Sequence, residues 1–317
     1  MSKIIKRIIN AAPCVLLRKE RVRLMGERAI KNFDDFSFIK MKYEKLGRPL
    51  DLRCPRRFTE KLQWLKLFWR QTEMPVCTDK FEVRNYLEAR GYGHILNELI
   101  AVFDDLSEFN PDKLPNQFVL KATHGSGWNL IVKDKTKINW FWWKKIMRSW
   151  MRQNLFYLGR EWNYKTLPPR IVAEKYLEDD SGELRDYKVF CMNGKAKFLQ
   201  LDENRLTNHK RLYVDCDGNP LPMRDSGDYA RENNASFGVL QKEMISIAED
   251  LCKPFPMVRV DFYECAQKIY FGELTFFDGS GFYSFSPDEW DFIIGDMLDL
   301  PKPNYNLELY SRINEGK

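Results

Sequence analysis

Between Phe118 and Lys133 the chain reads FVLKATHGSGWNLIVK: two short β-type runs, 118–122 and 129–133, flank His-Gly-Ser-Gly-Trp, and each run carries a lysine near its end. Glycines let a backbone turn sharply and bring N–H groups close to a ligand, and successive N–H groups in such a turn form an anion-binding nest. Phosphate-binding fingerprints of the P-loop and dinucleotide kinds run strand–glycines–helix. Here the glycines lie between two strands, which leaves two readings. One is a glycine-rich hairpin turn with solvated lysines. The other is a strand–loop–strand flap over a triphosphate, which requires metal-binding carboxylates elsewhere in the chain.

With 317 residues, the chain has room for two domains or one large multi-lobed unit. Its 44% hydrophobic and 14% aromatic content is that of a globular protein. A net charge of +6 suits anionic small molecules or an anionic surface, and no nucleic-acid module signature accompanies it. Seven scattered cysteines without a CxxC fit free thiols in a reducing cytoplasm, and three histidines without metal-type spacing argue against zinc. No apolar run approaches the ~20 residues of a membrane span. Residues 1–24, MSKIIKRIINAAPCVLLRKERVRL, alternate apolar pairs with basic residues. They read equally as a basic amphipathic helix lying on an anionic bilayer, at the inner membrane face, or as an ordinary solvated helix.

The rest of the chain alternates helical and β patterns. Residues 28–74 read as helices broken at Pro49 and Pro55, with Thr59 capping the stretch FTEKLQWLKLFWR, whose apolar stripe reads as core packing. Asp79 opens a further helix that Gly91 and Gly93 terminate. The Trp-rich stretch 139–153 reads as an amphipathic helix packed on the rest of the protein. Residues 171–179 are β-like, and 185–202 form a hairpin about Asn193-Gly194. A helix at 236–253 precedes a last β pair, 257–263 and 268–277.

That last pair, MVRVDFY and KIYFGELTFF, is the second anchor. Alternation puts Arg259 and Asp261 on one strand face, and Glu273 and Thr275 on one face of the next. A three-residue connection, Cys265–Gln267, sets Arg259 opposite Glu273 with Asp261 diagonal; a connection of two or four residues would put Asp261 and Glu273 on opposite faces. Such oxygens around a polar space suit Mg²⁺. A solvent-facing sheet with an Arg–Glu pair is the alternative.

KATHGSGWNLIVKDK, AEKYLEDD, DYKVFCMNGK, RVDFY and FGELTF occur in the order and spacing of an ATP-grasp enzyme. Together with PRRFTEKLQWLK and DKFEVRNYLEARG, they resemble the TupA-like ATP-grasp family of bacterial surface-polysaccharide clusters over roughly residues 55–300. The resemblance implies an α+β ATP-grasp fold, two α+β lobes holding ATP between antiparallel sheets, with a helical N-terminal extension. Residues 1–75 would form that helical region, 76–172 the first lobe with the flap, 173–300 the second lobe with the Mg²⁺ site, and 301–317 a tail.

Site roles follow from the resemblance in the same way. Lys121 would grip the α/β phosphates, Gly125, Ser126 and Gly127 would cover them, Lys133 would join the nucleotide site, and His124, where glycine is common elsewhere, would touch phosphate or merely cap the turn. Glu174, Lys175, Tyr176 and Leu177 would bind adenine, and Asp186 ribose or a catalytic partner. Lys188, Arg205 and Lys210 would meet the γ-phosphate and a developing acyl phosphate; Arg259 would steady the transferring phosphoryl group. Asp261, Glu273 and Thr275 would hold Mg²⁺. Many ATP-grasp enzymes have Glu-x-Asn where this chain has Glu273-Leu274-Thr275, and a hydroxyl is a weaker ligand than an amide carbonyl. The implied reaction is carboxylate activation followed by attack of an amine, joining an amino acid or amine to a uronic acid or related carboxylate of a small-molecule or lipid-linked glycan. The alternatives are a sugar kinase on the same scaffold and a glycosyltransferase of a polysaccharide cluster.

Overall fold

Alternating strand patterns and amphipathic helices resolve into two antiparallel sheets, each backed by a helix, in a computed structural model that describes residues 13–178, 184–203, 210–225 and 237–315. The helices are α1 (Pro13–Ile30), α2 (Asp35–Glu44), α3 (Phe58–Phe68), α4 (Glu73–Thr78), α5 (Val83–Glu88), α6 (Trp140–Trp150), α7 (Phe156–Gly159), α8 (Val239–Cys252), α9 (Glu289–Asp296) and α10 (Leu307–Glu315). The strands are β1 (Leu99–Phe103), β2 (Phe118–Ala122), β3 (Asn129–Val132), β4 (Ile171–Lys175), β5 (Arg185–Met192), β6 (Lys195–Glu203), β7 (Lys210–Val214), β8 (Met257–Cys265) and β9 (Lys268–Thr275). An α+β protein is the result, as the alternation of patterns implies.

Two compact units divide the described chain: 13–32 with 75–178, and 33–74 with 184–315. The helical region expected at residues 1–75 is therefore shared out, α1 to the first unit and α2 and α3 to the second.

The first unit holds a four-stranded sheet in the order β1-β4-β2-β3. Phe118, Leu120 and Ala122 alternate inward along β2, and Trp143, Ile146, Met147 and Trp150 of α6 join the same core. The Trp-rich segment is thus packed through one face, as its periodicity implies. Leu16 and Leu17 of α1 enter this core as well.

The second unit holds a five-stranded sheet in the order β7-β6-β5-β8-β9. Val189, Leu199, Val260 and Leu274 line its apolar face, against which α8 packs through residues such as Met244, Ile247 and Leu251. Fully burying an apolar side chain of this size contributes ~1.5–3 kcal/mol, which fixes which face of each strand is inward. The opposite face is left for polar side chains.

The β5–β6 and β8–β9 hairpins of this sheet each turn in two residues. Asn193-Gly194 (φ 53° and 78°) is the expected one, whereas Ala266-Gln267 (φ 50° and 57°) adopts the same left-handed pair without glycine or asparagine.

Candidate active site

In the first unit, the strand–glycine–strand segment is a hairpin in which Lys121 pairs with Asn129 and the β2 edge toward β4 sets Val119 opposite Glu174. Lys121 and Glu174 therefore share a face diagonally, and the lysine ammonium donates to the Glu174 carboxylate at 2.6 Å. Lys121 keeps a side-chain exposure of 21%, against 9% for Glu174, so an anion arriving at Lys121 would displace its own counter-ion.

The turn between these strands is built over aromatic rings. A Cβ on Gly125 would lie 2.1 Å from the Trp128 ring, and Gly127 has φ +74°, so each glycine is needed for a different reason. Gly125 is buried; Ser126 and Gly127 are exposed, leaving the tip of the turn open to an anion. From outside the hairpin, Lys80 Nζ donates to the Gly125 carbonyl at 2.7 Å. The Thr123 hydroxyl donates to Asp79 at 2.8 Å, and Asp79 also accepts from the backbone N–H groups of Phe81 and Glu82 at 2.8 and 3.1 Å. Asp79 does not itself open the helix as expected: it lies in the turn between α4 and α5, which starts at Val83 with Glu82 as its N-cap. It anchors the glycine turn instead, a role with no local sequence signal.

Of the two places expected of it, His124 takes the structural one. Its ring is buried beneath the turn, with Nε2 3.0 Å from the Trp150 carbonyl and the Trp128 ring 5.3 Å away. Burial lowers its pKa below the ordinary value and keeps it neutral. It supports the turn from inside, because a ring among tryptophans gains more from packing than from solvent.

Just after β3, Lys133 donates to Glu178 at 2.5 Å, and Tyr176, just after β4, donates to the same carboxylate at 2.9 Å. Lys175 is exposed near Glu98, its carbonyl accepting from Asn97 at 2.8 Å, and Leu177 is half-buried. This segment is held by its neighbours on both sides.

The second unit carries the denser chemistry. Strand pairing sets Asp186 opposite Asp202, Lys188 opposite Gln200 and Asp261, and Asp261 opposite Glu273. All project from the face away from α8. Lys188 Nζ contacts Asp186, lies 3.2 Å from Asp261 and 3.8 Å from Asp202. Arg259 grips Asp261 with two hydrogen bonds of 2.6 and 2.7 Å, contacts Asp278, and reaches the Thr275 hydroxyl at 3.2 Å. Burial works against the Arg259 cation, but the Asp261 and Asp278 charges outweigh it and hold its pKa well above the ordinary value. For Asp261, burial raises the carboxyl pKa, with Arg259 and Lys188 opposing the rise.

The expected register at the last hairpin is wrong, and its consequence survives for another reason. The turn has two residues, Cys265 pairing with Lys268, which by itself would put Asp261 and Glu273 on opposite faces. A β-bulge between Asp261 and Phe262 inserts Gly272 and shifts the pairing by one, so Asp261 faces Glu273 and Arg259 faces Thr275. A Cβ at position 272 would stand 2.9 Å from the Asp261 carbonyl oxygen, which selects glycine there.

Two further expectations change. Lys210 is exposed at the start of β7, on the face opposite its neighbour; Arg211, opposite Asp202, is the residue that enters the charged face, donating to Asp202 at 2.9 Å and contacting Asp225. Arg205 lies outside the described residues. Gln200, Asp202, Arg211, Asp225 and Asp278 are members that the sequence reading missed. Polar residues alternating within FLQLD (198–202) were the one available signal.

Helix α3 also contributes more than a packing stripe. Its N-cap is Arg57, and the Thr59 hydroxyl donates instead to Asp291 at 2.8 Å. Gln63 donates to the carbonyls of Ser280 and Gly281 at 3.0 and 2.9 Å, and Lys66 to that of Ser280 at 2.6 Å. They brace three consecutive left-handed residues, Gly279, Ser280 and Gly281, directly after the Asp278 that meets Arg259.

Among the described residues on this face, six carboxylates (Asp186, Asp202, Asp225, Asp261, Glu273 and Asp278) stand against three cations (Lys188, Arg211 and Arg259), a surplus of negative charge. Oxygen donors and surplus charge fit Mg²⁺. Among the described residues no three such side chains already converge as a metal cage. Asp261 gives both its oxygens to Arg259, while Glu273, with 31% side-chain exposure, lies 3.2 Å from the Thr275 hydroxyl at the more open edge.

Two helix-backed antiparallel sheets, one bearing a strand–glycine–strand turn and the other a charged strand face, define an α+β protein of the ATP-grasp class. The sequence matches the TupA-like ATP-grasp family over residues 60–299, and the chain belongs to that family. No curated protein matches it. Among solved structures, it is similar to D-alanine–D-alanine ligase from Helicobacter pylori (13% identity, TM-score 0.41, 76% of this chain and 69% of that one). It is also similar to D-alanine–D-alanine ligase from Bacillus anthracis complexed with ATP (14%, 0.36, 63% and 55%). A third is N5-carboxyaminoimidazole synthase from Aspergillus clavatus (11%, 0.34, 63% and 44%). The chain spans little more than half of the Bacillus ligase's length.

Proposed function

We propose that this protein is an ATP- and Mg²⁺-dependent ligase that joins a carboxylate to an amine. The observation that carries the reading is the buried Arg259, held by Asp261 and Asp278 beside Glu273 and Thr275, in a chain of the ATP-grasp family. A guanidinium fixed this way is a preorganised clamp for a transferring phosphoryl group.

Glu273 and Thr275 would hold Mg²⁺ at the more open edge, with Asp261 fixing the cations behind them. The bound metal would neutralise charge developing between the β- and γ-phosphates. Lys121 and the Gly125–Gly127 turn would receive the nucleotide phosphates, with Glu174 released from Lys121 as they bind. Tyr176 and Leu177 would border adenine. A substrate carboxylate oxygen attacks the γ-phosphorus, the bond to the ADP oxygen breaks, and an acyl phosphate forms. The amine then attacks the acyl carbon, phosphate leaves, and the ammonium proton is lost. Positioning and charge neutralisation are what the protein supplies. We assign the carboxylate to a uronic acid or related acid of a surface glycan and the amine to an amino acid or amino sugar.

ADP release measured with Mg-ATP across paired uronic acids and amino acids, with hydroxylamine as a trap, tests the reading. A hydroxamate supports the acyl phosphate. A phosphorylated hydroxyl product makes the protein a kinase, and stabilisation by a UDP- or GDP-sugar without any effect of Mg-ATP makes it a glycosyltransferase.

A further inference from the structure

We propose that the outward faces of α1 and α6 form a docking surface for an anionic lipid bilayer. The two helices pack on each other within the first unit, Leu16 and Leu17 facing inward with Trp143 and Trp150. Both acids of α1 are also turned inward: Glu20 accepts from Gln153 at 2.7 Å, and Glu27 is buried, accepting from the Asn154 N–H at 3.3 Å.

What remains outside on α1 is apolar or basic. Val15, Val22 and Met25 are 46, 63 and 69% exposed, interleaved with exposed Arg18, Lys19 and Arg21. On α6, Phe141 is 63% exposed, with Lys145 Nζ 4.0 Å above its ring and 4.9 Å from that of Trp142. Residues 139–153 contain no acidic residue. Five large hydrophobic residues are exposed among the described residues of this unit, and four of them lie on these two helices. A helix face of this composition enters the headgroup boundary with its apolar residues while its basic residues meet lipid phosphates. Charge selects the occupant: two such basic faces would repel each other, whereas an anionic bilayer complements both features.

The full-length chain is to be sedimented with phosphatidylcholine vesicles, with and without phosphatidylglycerol, at low and high salt. The expected result is at least ~10-fold more binding to the anionic vesicles, lost at high salt. Reversing Arg18, Lys19 and Arg21 to Glu should bring binding down to the neutral-vesicle level. Val22→Ser with Met25→Ser and Phe141→Ser, all exposed positions, should lower it several-fold without changing the melting temperature. Equal binding to both vesicles, no binding, or variants that bind like wild type would overturn the proposal. Lipid-free dimerisation abolished by the same substitutions would give the face to a second copy and overturn it as well. ATP turnover is read separately, so this outcome and that of the ligase assays stand apart.

Discussion

The two sheets solve opposite problems with the same architecture. Each is antiparallel and backed by a helix, yet the first puts one ion pair, Lys121–Glu174, beside a glycine turn, while the second spreads nine charges across five strands and the segments that follow β7 and β9. At the glycine turn of the first unit, aromatic shape does most of the positioning: Trp128 beneath Gly125, His124 beneath the turn. In the second, charge positions charge. Removing a single charge should therefore cost stability mainly in the second unit, and altering shape should matter most in the first.

The most disruptive change expected is deletion of Gly272. It removes the bulge and turns Glu273 onto the apolar face that packs on α8. ATP turnover should fall by ~10³-fold or more, with a lower melting temperature, if donors facing the transition state are worth their usual amount. Arg259→Ala comes next. It removes the cation that Asp261 and Asp278 share, and chemical denaturation should show a loss of ~3–5 kcal/mol, the range for breaking a buried ion pair. A loss below ~1 kcal/mol would end the claim that this face is held together by charge.

Gly125→Ala tests the shape half of the comparison. The added methyl meets the buried Trp128 ring, so ~1–3 kcal/mol of stability should be lost together with nucleotide affinity. Lys121→Met is the counterpart of Arg259→Ala. The pair is partly exposed, so stability should move by only about 1 kcal/mol while calorimetry shows ATP affinity reduced ~10-fold or more. A stability loss as large as that of Arg259→Ala would erase the distinction between the sheets.

The smallest effect expected is on pH dependence. Burial holds the folded His124 pKa below the value of about 6.5 in the unfolded chain. The unfolded state then binds the proton more readily, so this stability is present in full above about pH 6.5 and is lost as pH falls toward the folded pKa. Melting temperatures taken from about pH 7 to 5 should fall more steeply for wild type than for His124→Gln. Equal slopes would show that burial of the ring is not what sets the titration.

Legibility followed locality. The strand–glycine–strand segment was readable because its strands and turn are contiguous, and Asn193-Gly194 was readable because both residues accept left-handed backbone. Ala266-Gln267 gave no such sign, so the expected turn was a residue too long. Arg211 was overlooked in favour of Lys210 because the choice between adjacent basic residues rests on cross-strand register with Asp202. Asp278 and the α3 residues Gln63 and Lys66 were missed for a related reason: their partners lie far along the chain.

By itself the sequence determined the ordered motifs, hence the ATP-grasp family and the α+β class, because strand alternation, helical spacing and glycine turns are short-range patterns. Tertiary structure alone decided which charges meet. One inserted glycine set the face that Glu273 presents, since side chains alternate with a period of two and only pairing with the neighbouring strand reveals where that count is broken.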